Sequence, residues 1–90
     1  MSVTHNTAQS RFEITIDAHL AKLDYRLRDG VLVLIHTEVP SALEGRGLAG
    51  SLVQAALAFA RESGLKVEPR CAYAAAYMQR HPETQDLLAP

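Results

Sequence analysis

Apolar and polar residues alternate in the first part of the chain, as they do in half-buried β-strands. The alternation runs over residues 12–16 and again over residues 21–27, with a short hairpin turn expected at residues 17–19. Asp29-Gly30 predicts a second hairpin, because both central residues of such a turn need positive φ. Residues 1–10 show no period and are expected to be flexible.

A third strand is predicted from Val31 to Val39, and its first half is apolar on both faces. A strand of this kind is normally covered on both sides, so we expect helices over the sheet. A long helix is predicted from Gly47 to Ser63, because apolar residues recur at positions 48, 52, 56, 59 and 60. Gly64 is a suitable residue for its C-terminal end.

The alternating pattern of a strand returns over residues 65–68 and ends at Pro69. An alanine-rich helix is then predicted over residues 72–80. His81-Pro82 ends that helix, because the residue before proline avoids the α region. Residues 83–90 are expected to form a short tail. The predicted order is β-β-β-α-β-α: an α/β (α+β) domain with antiparallel N-terminal strands and a parallel strand–helix–strand crossover.

Length and composition restrict the class of protein. Ninety residues, 48% of them hydrophobic and 21% charged, predict a single globular domain spanning residues 1–90. The net charge of −1 argues against nucleic acid and anionic membrane surfaces. A lone cysteine and the lack of a signal or membrane segment favour a cytoplasmic protein. No metal site is expected, because no His, Cys, Asp or Glu cluster has ligand spacing.

A glycine-rich turn at residues 44–50 opens the long helix. Such a turn lets backbone N–H groups approach an anion, and the helix dipole favours negative charge there. Arg46 could add a charge-assisted bond to phosphate. The alternative is a plain strand-to-helix loop in which the glycines only permit turning. The turn is not a Walker loop, since no Gly-Lys-Ser/Thr follows.

Ligands of such sheets bind beyond the carboxyl ends of the parallel strands. Those ends are predicted at residues 37–39 and 68–71, and the glycine turn leaves one of them. We therefore expect the turn, Arg46, Cys71 and the last helix to share one rim.

At this point the chain resembles a known family. Val39-Pro40 followed by residues 43–49 and a long helix looks like the pyrophosphate loop of the GNAT N-acetyltransferase superfamily. Residues 36–40, Cys71-x-Tyr73 and residues 80–83 are similar to a minimal branch of predicted acetyltransferases. The resemblance covers about residues 11–88.

The resemblance implies acetyl-CoA as cofactor, with its pyrophosphate on the loop amides and its pantetheine arm between the strands that end at Val39 and Pro69. Glu44 departs from the family pattern, which has glutamine or arginine at the first position of the loop. The expected cofactor-binding residues are Val39, Gly45, Arg46, Gly47, Leu48, Ala49, Gly50 and Tyr77. Tyr77 shares a helical face with Tyr73, and core packing is the alternative for this pair.

Acetyl transfer to an amine needs a base for the amine proton and an acid for the departing thiolate. Cys71 could be the acid, or a nucleophile if the N-terminus of the following helix or Arg70 lowers its pKa. The alternative is a small buried hydrophobe. His36 could act as a base or orienting group, or be a hydrogen-bonded core histidine. Glu38 could be a base or a solvated charge. His81 is expected to cap the last helix, and His5 and His19 to lie at the surface.

The sequence thus predicts an acetyl-CoA-dependent N-acetyltransferase with an unidentified amine acceptor, a small molecule or a protein. The alternative is a module that binds CoA or acyl-CoA without turnover. The same residues at the glycine turn serve both hypotheses, and neither predicts an oligomeric state.

Overall fold

In the described part of the chain, five β-strands form one sheet, in the order β1-β2-β3-β4-β5, and two α-helices pack on it. This computed structural model describes residues 2–90. The strands are β1 (Thr4–Asn6), β2 (Arg11–Ile16), β3 (His19–Arg28), β4 (Val31–Glu38) and β5 (Lys66–Pro69). The helices are α1 (Leu48–Ser63) and α2 (Ala72–Arg80), with short 3₁₀ helices over Ser41–Leu43 and Pro82–Leu87.

The strand pairing confirms the predicted topology. β1 to β4 pair antiparallel in sequence order, and β5 joins β4 in parallel after the α1 crossover. Both predicted hairpins are present. Asp17 and Ala18 have φ of 50° and 64°, and Asp29 and Gly30 have φ of 54° and 77°. Positive φ at both central residues is what a tight two-residue hairpin requires.

The expected flexibility of residues 1–10 is wrong over Thr4–Asn6, which pair with β2 as strand β1. His5, expected at the surface, lies in an aromatic cluster instead. Its ring stacks on Phe12 with centroids 4.2 Å apart and meets the Phe59 ring edge-on at 4.5 Å. A strand of three residues is too short to show a period, and partners distant in sequence hold it in place.

The expected C-terminal tail is also ordered. Pro82–Leu87 forms a 3₁₀ helix, and Leu88 pairs in parallel with Val67 beside β5. The Ala89 N–H donates to the Val67 carbonyl at 2.8 Å. Arg61 binds the Asp86 carboxylate from α1, so the end of the chain is tied to both α1 and β5. These contacts depend on tertiary structure and leave no periodic pattern in the sequence.

Both helices lie on one face of the sheet, which we call the inner face. The buried residues of α1 and α2 form one core cluster with inner-face strand residues such as Leu23, Leu32 and Leu34. Val33 is buried but lies outside this cluster, and Ile35 is exposed. The expectation of helices over both faces is therefore wrong, since α1 and α2 both pack on the inner face. Within residues 2–90 neither helix is long and apolar enough to span a membrane.

Candidate functional site

A β-bulge in β4 sets the geometry of the site. Asp24 pairs with His36 and Tyr25 pairs with Leu34, so the ladder skips Ile35. An extra residue of this kind reverses the alternation of side chains beyond it. Thr37 pairs with the fully buried Leu23 and therefore faces inward, towards the helices.

β4 and β5 separate directly beyond the bulge. Their last paired residues are Leu34 and Pro69. The N–H groups of Arg70 and Cys71 both donate to the Leu34 carbonyl at 3.0 Å, and the chain then turns into α2. β4 continues to Glu38 without a parallel partner. We call this end of the parallel ladder the split. Ligands of parallel sheets commonly bind at such strand ends.

The glycine turn presents unpaired backbone donors beside this split. Gly47 is the N-cap of α1 at φ 73° and Gly45 has φ 83°, conformations that glycine adopts without strain. The first bond of the helix runs from the Ser51 N–H to the Gly47 carbonyl at 3.1 Å. The N–H groups of the first turn, at residues 48–50, consequently have no acceptor within the helix, and no side chain of residues 2–90 caps them.

A cavity of about 270 Å³ lies over these donors. It brings together most of the expected cofactor-binding residues with Tyr73 from α2, and Glu44 at its rim. The residues predicted from sequence that line it are Val39, Gly45, Gly47, Leu48, Ala49 and Gly50. Arg46 is exposed on the same turn but does not line the cavity.

Tyr73, rather than Tyr77, is the aromatic residue of this cavity. A Cβ added at Gly50 would lie 3.3 Å from the Tyr73 hydroxyl, so glycine allows the close approach of α2 to the first turn of α1. Tyr77 stacks on His81 with ring centroids 4.1 Å apart. Burial, together with the charge of Glu83, raises the pKa of Tyr77. Tyr73 could have been found from its place two residues after Cys71, in the first turn of a helix that starts at the rim.

Cys71 is the half-buried N-cap residue of α2, and its sulfur lies 3.2 Å from the Thr37 hydroxyl. Burial raises the pKa of the thiol. The Thr37 hydroxyl and the nearby N–H groups of Ala74, Tyr73 and Thr37 lower the pKa by more, so that it lies below its ordinary value. The N–H groups of the first turn form no regular capping bond with the sulfur, and they act through their partial charge. Thr37 had no signal in the sequence, because plain alternation places it on the outer face.

His36 and Glu38 lie on the outer face and are exposed. Glu38 is opposite Lys22, whose ammonium is 3.9 Å from the carboxylate and also donates to Asp24 at 3.0 Å. The three residues predicted for catalysis are therefore divided between the two faces of the sheet. Cys71 lies on the helix side of the split, and His36 and Glu38 lie on the open side.

Comparison with known proteins identifies the class to which this fold and site belong. The model of the GCN5-related N-acetyltransferase family matches residues 11–87. The chain therefore belongs to the GCN5-related N-acetyltransferase family.

Individual relatives agree with this assignment. The chain is 44% identical to Protein NATD1 of Homo sapiens and of Mus musculus over 57 residues, which are 63% of this chain. The match spans about half the length of these relatives, 50% and 52% respectively. The fold is similar to an NMR structure from Staphylococcus aureus described as a "GCN5-like putative N-acetyltransferase". The TM-score is 0.77 at 27% identity, covering 98% of this chain and 87% of that one.

Proposed function

We propose that this protein transfers the acetyl group of acetyl-CoA to an amine. The observation that carries the proposal is the cavity at the start of α1. There three backbone donors without helical acceptors lie beside the split between β4 and β5. An anionic cofactor with a long, narrow arm fits this combination of an anion-binding helix start and an opening between strand ends.

The backbone of α1 supplies most of the proposed pyrophosphate site. The N–H groups of Leu48, Ala49 and Gly50 can donate to phosphate oxygens, and the helix dipole contributes about 0.3–1 kcal/mol at an exposed site. Arg46 is free to approach the phosphates from the solvent side. Glu44 at the rim opposes them, and the site therefore depends on backbone donors more than on side-chain charge.

When bound, acetyl-CoA supplies a thioester whose carbonyl carbon forms a C–N bond with the amine as the C–S bond breaks, so the amine loses a proton and the released thiolate gains one. Cys71 lies on the helix side of the split and can hold a proton at Sγ, shared with the Thr37 hydroxyl. His36 and Glu38 lie on the open side and can accept the amine proton, directly or through water. Two faces with different proton-carrying groups suit a reaction that moves a proton off one reactant and onto the other.

Two measurements on the full chain test the proposal. Titration calorimetry with CoA and acetyl-CoA should show binding of both at one site. Thiol release from acetyl-CoA should then rise above the hydrolysis background when amines are added. Arg46→Ala should weaken CoA binding by about two- to fivefold at low salt and by less at high salt. Arg80→Ala, an exposed arginine at the end of α2, should leave the affinity unchanged.

The outcomes separate the candidate functions. No binding of CoA would overturn the proposed site. Binding without thiol release from any amine of a panel that includes anionic, neutral and cationic members would favour a CoA-binding module over an enzyme.

A further inference from the structure

A second and larger cavity, of about 650 Å³, opens on the outer face of the sheet. Its floor includes Val33 and Ile35, and three arginines line it: Arg26, Arg28 and Arg70. We call it the arginine cavity. Val33 is only 3% exposed although neither helix covers this face.

The arginine cavity lies at the split between β4 and β5. Ile35 is the residue of the β-bulge, and Arg70 is the first residue beyond the last parallel pair, Leu34 and Pro69. The Arg70 N–H donates to the Leu34 carbonyl, which fixes its backbone at the point of separation. The cavity is therefore on the opposite side of the sheet from the glycine turn. It extends from the split, at Ile35 and Arg70, towards the amino end of β4, where Arg26 and Arg28 pair with Val33 and Val31.

The charge of the cavity is strongly positive. Arg70 is paired with the Glu68 carboxylate, whereas Arg26 and Arg28 form no ion pair in the part of the chain that the structure describes. Two unpaired guanidinium groups over an apolar floor can bind a carboxylate or a phosphate by paired hydrogen bonds while the floor contacts the rest of the ligand. The volume is that of a small-molecule site.

We propose that the arginine cavity is the acceptor site, and that the acceptor is a small amine that also carries a carboxylate or phosphate group. Arg26 and Arg28 would hold the anionic group, and the amine would then face the split, with His36 and Glu38 on the same outer face. A cationic polyamine would be repelled by the same arginines. This inference rests on the proposed acetyl transfer for the identity of the ligand as an acceptor, but binding of the anionic amine does not depend on the cofactor.

Two matched pairs of probes test the charge requirement, with the amine retained in each. One pair is L-glutamate and L-glutamine amide, and the other is O-phosphoethanolamine and ethanolamine. Binding is followed without cofactor by NMR shifts of the Val33 and Ile35 amides. We expect at least one probe with an anionic group to bind about tenfold more tightly than its partner without that group. The pair with the larger ratio distinguishes carboxylate from phosphate recognition.

Substitutions in the arginine cavity then test which residues cause this difference in affinity. The double variant Arg26→Gln/Arg28→Gln should weaken binding of the anionic probe about fivefold or more and leave CoA affinity unchanged. The control variant Arg80→Gln should change neither affinity. With acetyl-CoA present, the double variant should raise the KM of the same probe. Equal binding of the probes with and without the anionic group, or unchanged binding by the double variant, would overturn this proposal. Failure of CoA to bind would instead overturn the proposed transfer while leaving the anionic-amine site in place.

Discussion

The Thr37 hydroxyl and the Cys71 thiol lie 3.2 Å apart although the residues are 34 positions apart in sequence. Thr37 reaches this position because the β-bulge at Ile35 turns it inward, and Cys71 because its N–H binds the Leu34 carbonyl at the end of the parallel ladder. The pair therefore depends on the same irregularity that opens the split. A change in the bulge would move the proton-carrying thiol and the proposed cofactor entrance together.

Thr37→Val should raise the pKa of Cys71, because the hydroxyl hydrogen bond stabilises the thiolate and valine removes it at nearly constant volume. The rate of alkylation by iodoacetamide follows the thiolate. Its pH midpoint should therefore move to higher pH in the variant. Thr15→Val, at an exposed position of β2, is the matched control and should leave the midpoint unchanged. Equal midpoints in parent and Thr37→Val would show that the hydroxyl does not act on the thiol.

Gly47→Ala should weaken CoA binding by about tenfold, or 1.4 kcal/mol. Gly47 holds φ 73° at the N-cap of α1, where a side chain would disturb the backbone that presents the donors. Gly64→Ala is the control, because Gly64 has φ 69° at the other end of the same helix. Each variant should cost about 1 kcal/mol of stability in urea unfolding. If Gly64→Ala weakens CoA binding as much as Gly47→Ala does, the loss of affinity reflects the stability of α1 and not a change in the site.

The local elements of this fold could be predicted from sequence because each has a local cause. The hairpin at Asp29-Gly30 follows from the φ values that those two residues adopt, and α1 ends where Gly64 takes positive φ. The glycine turn could be predicted from the sequence for the same reason. Its donors belong to the backbone of one short segment, so no distant partner is needed to place them.

The bulge at Ile35 could not be predicted, since it depends on register with β3 and not on the residues of β4 alone. The side chains of β4 beyond the bulge therefore lie on the opposite face from the one that plain alternation predicts. Plain alternation places His36 inward and Thr37 outward, and the structure has the reverse. Tyr73 and Tyr77 share a helical face and both lie near Gly50, so helical spacing alone does not decide between them. Tyr73 lines the cavity because it is in the first turn of α2.

Glu44→Gln should strengthen CoA binding by about two- to fivefold, because it removes an exposed negative charge from the rim of an anion site. The gain should decrease as salt is raised from low to physiological concentration, since the charges are screened by solvent. Calorimetry at two salt concentrations measures both effects. Glu62→Gln, at an exposed position near the C-terminal end of α1, should have no effect. An unchanged affinity for Glu44→Gln would place the phosphates away from this rim.

Acidification should destabilise the protein through His5. Its ring lies between Phe12 and Phe59, and its Nε2 is 2.6 Å from the Tyr25 hydroxyl. Burial lowers the pKa of His5 below its ordinary value of 6.5, since the cluster disfavours the imidazolium. The unfolded chain therefore takes up the proton first as pH falls. The free energy of unfolding should be highest above pH 6.5 and should decrease as the pH drops through that value.

Urea unfolding between pH 8 and pH 5.5 measures this dependence. His5→Gln should be less stable than the parent at pH 8, because the stacking with Phe12 is lost, but its stability should change less with pH. His19→Gln, exposed at the start of β3, should retain the parental dependence. Loss of β1 is the expected structural consequence at low pH, since His5 is the residue that joins this strand to α1 through Phe59. If His5→Gln keeps the full parental pH dependence, the titrating group lies elsewhere and β1 is held by its backbone pairing with β2.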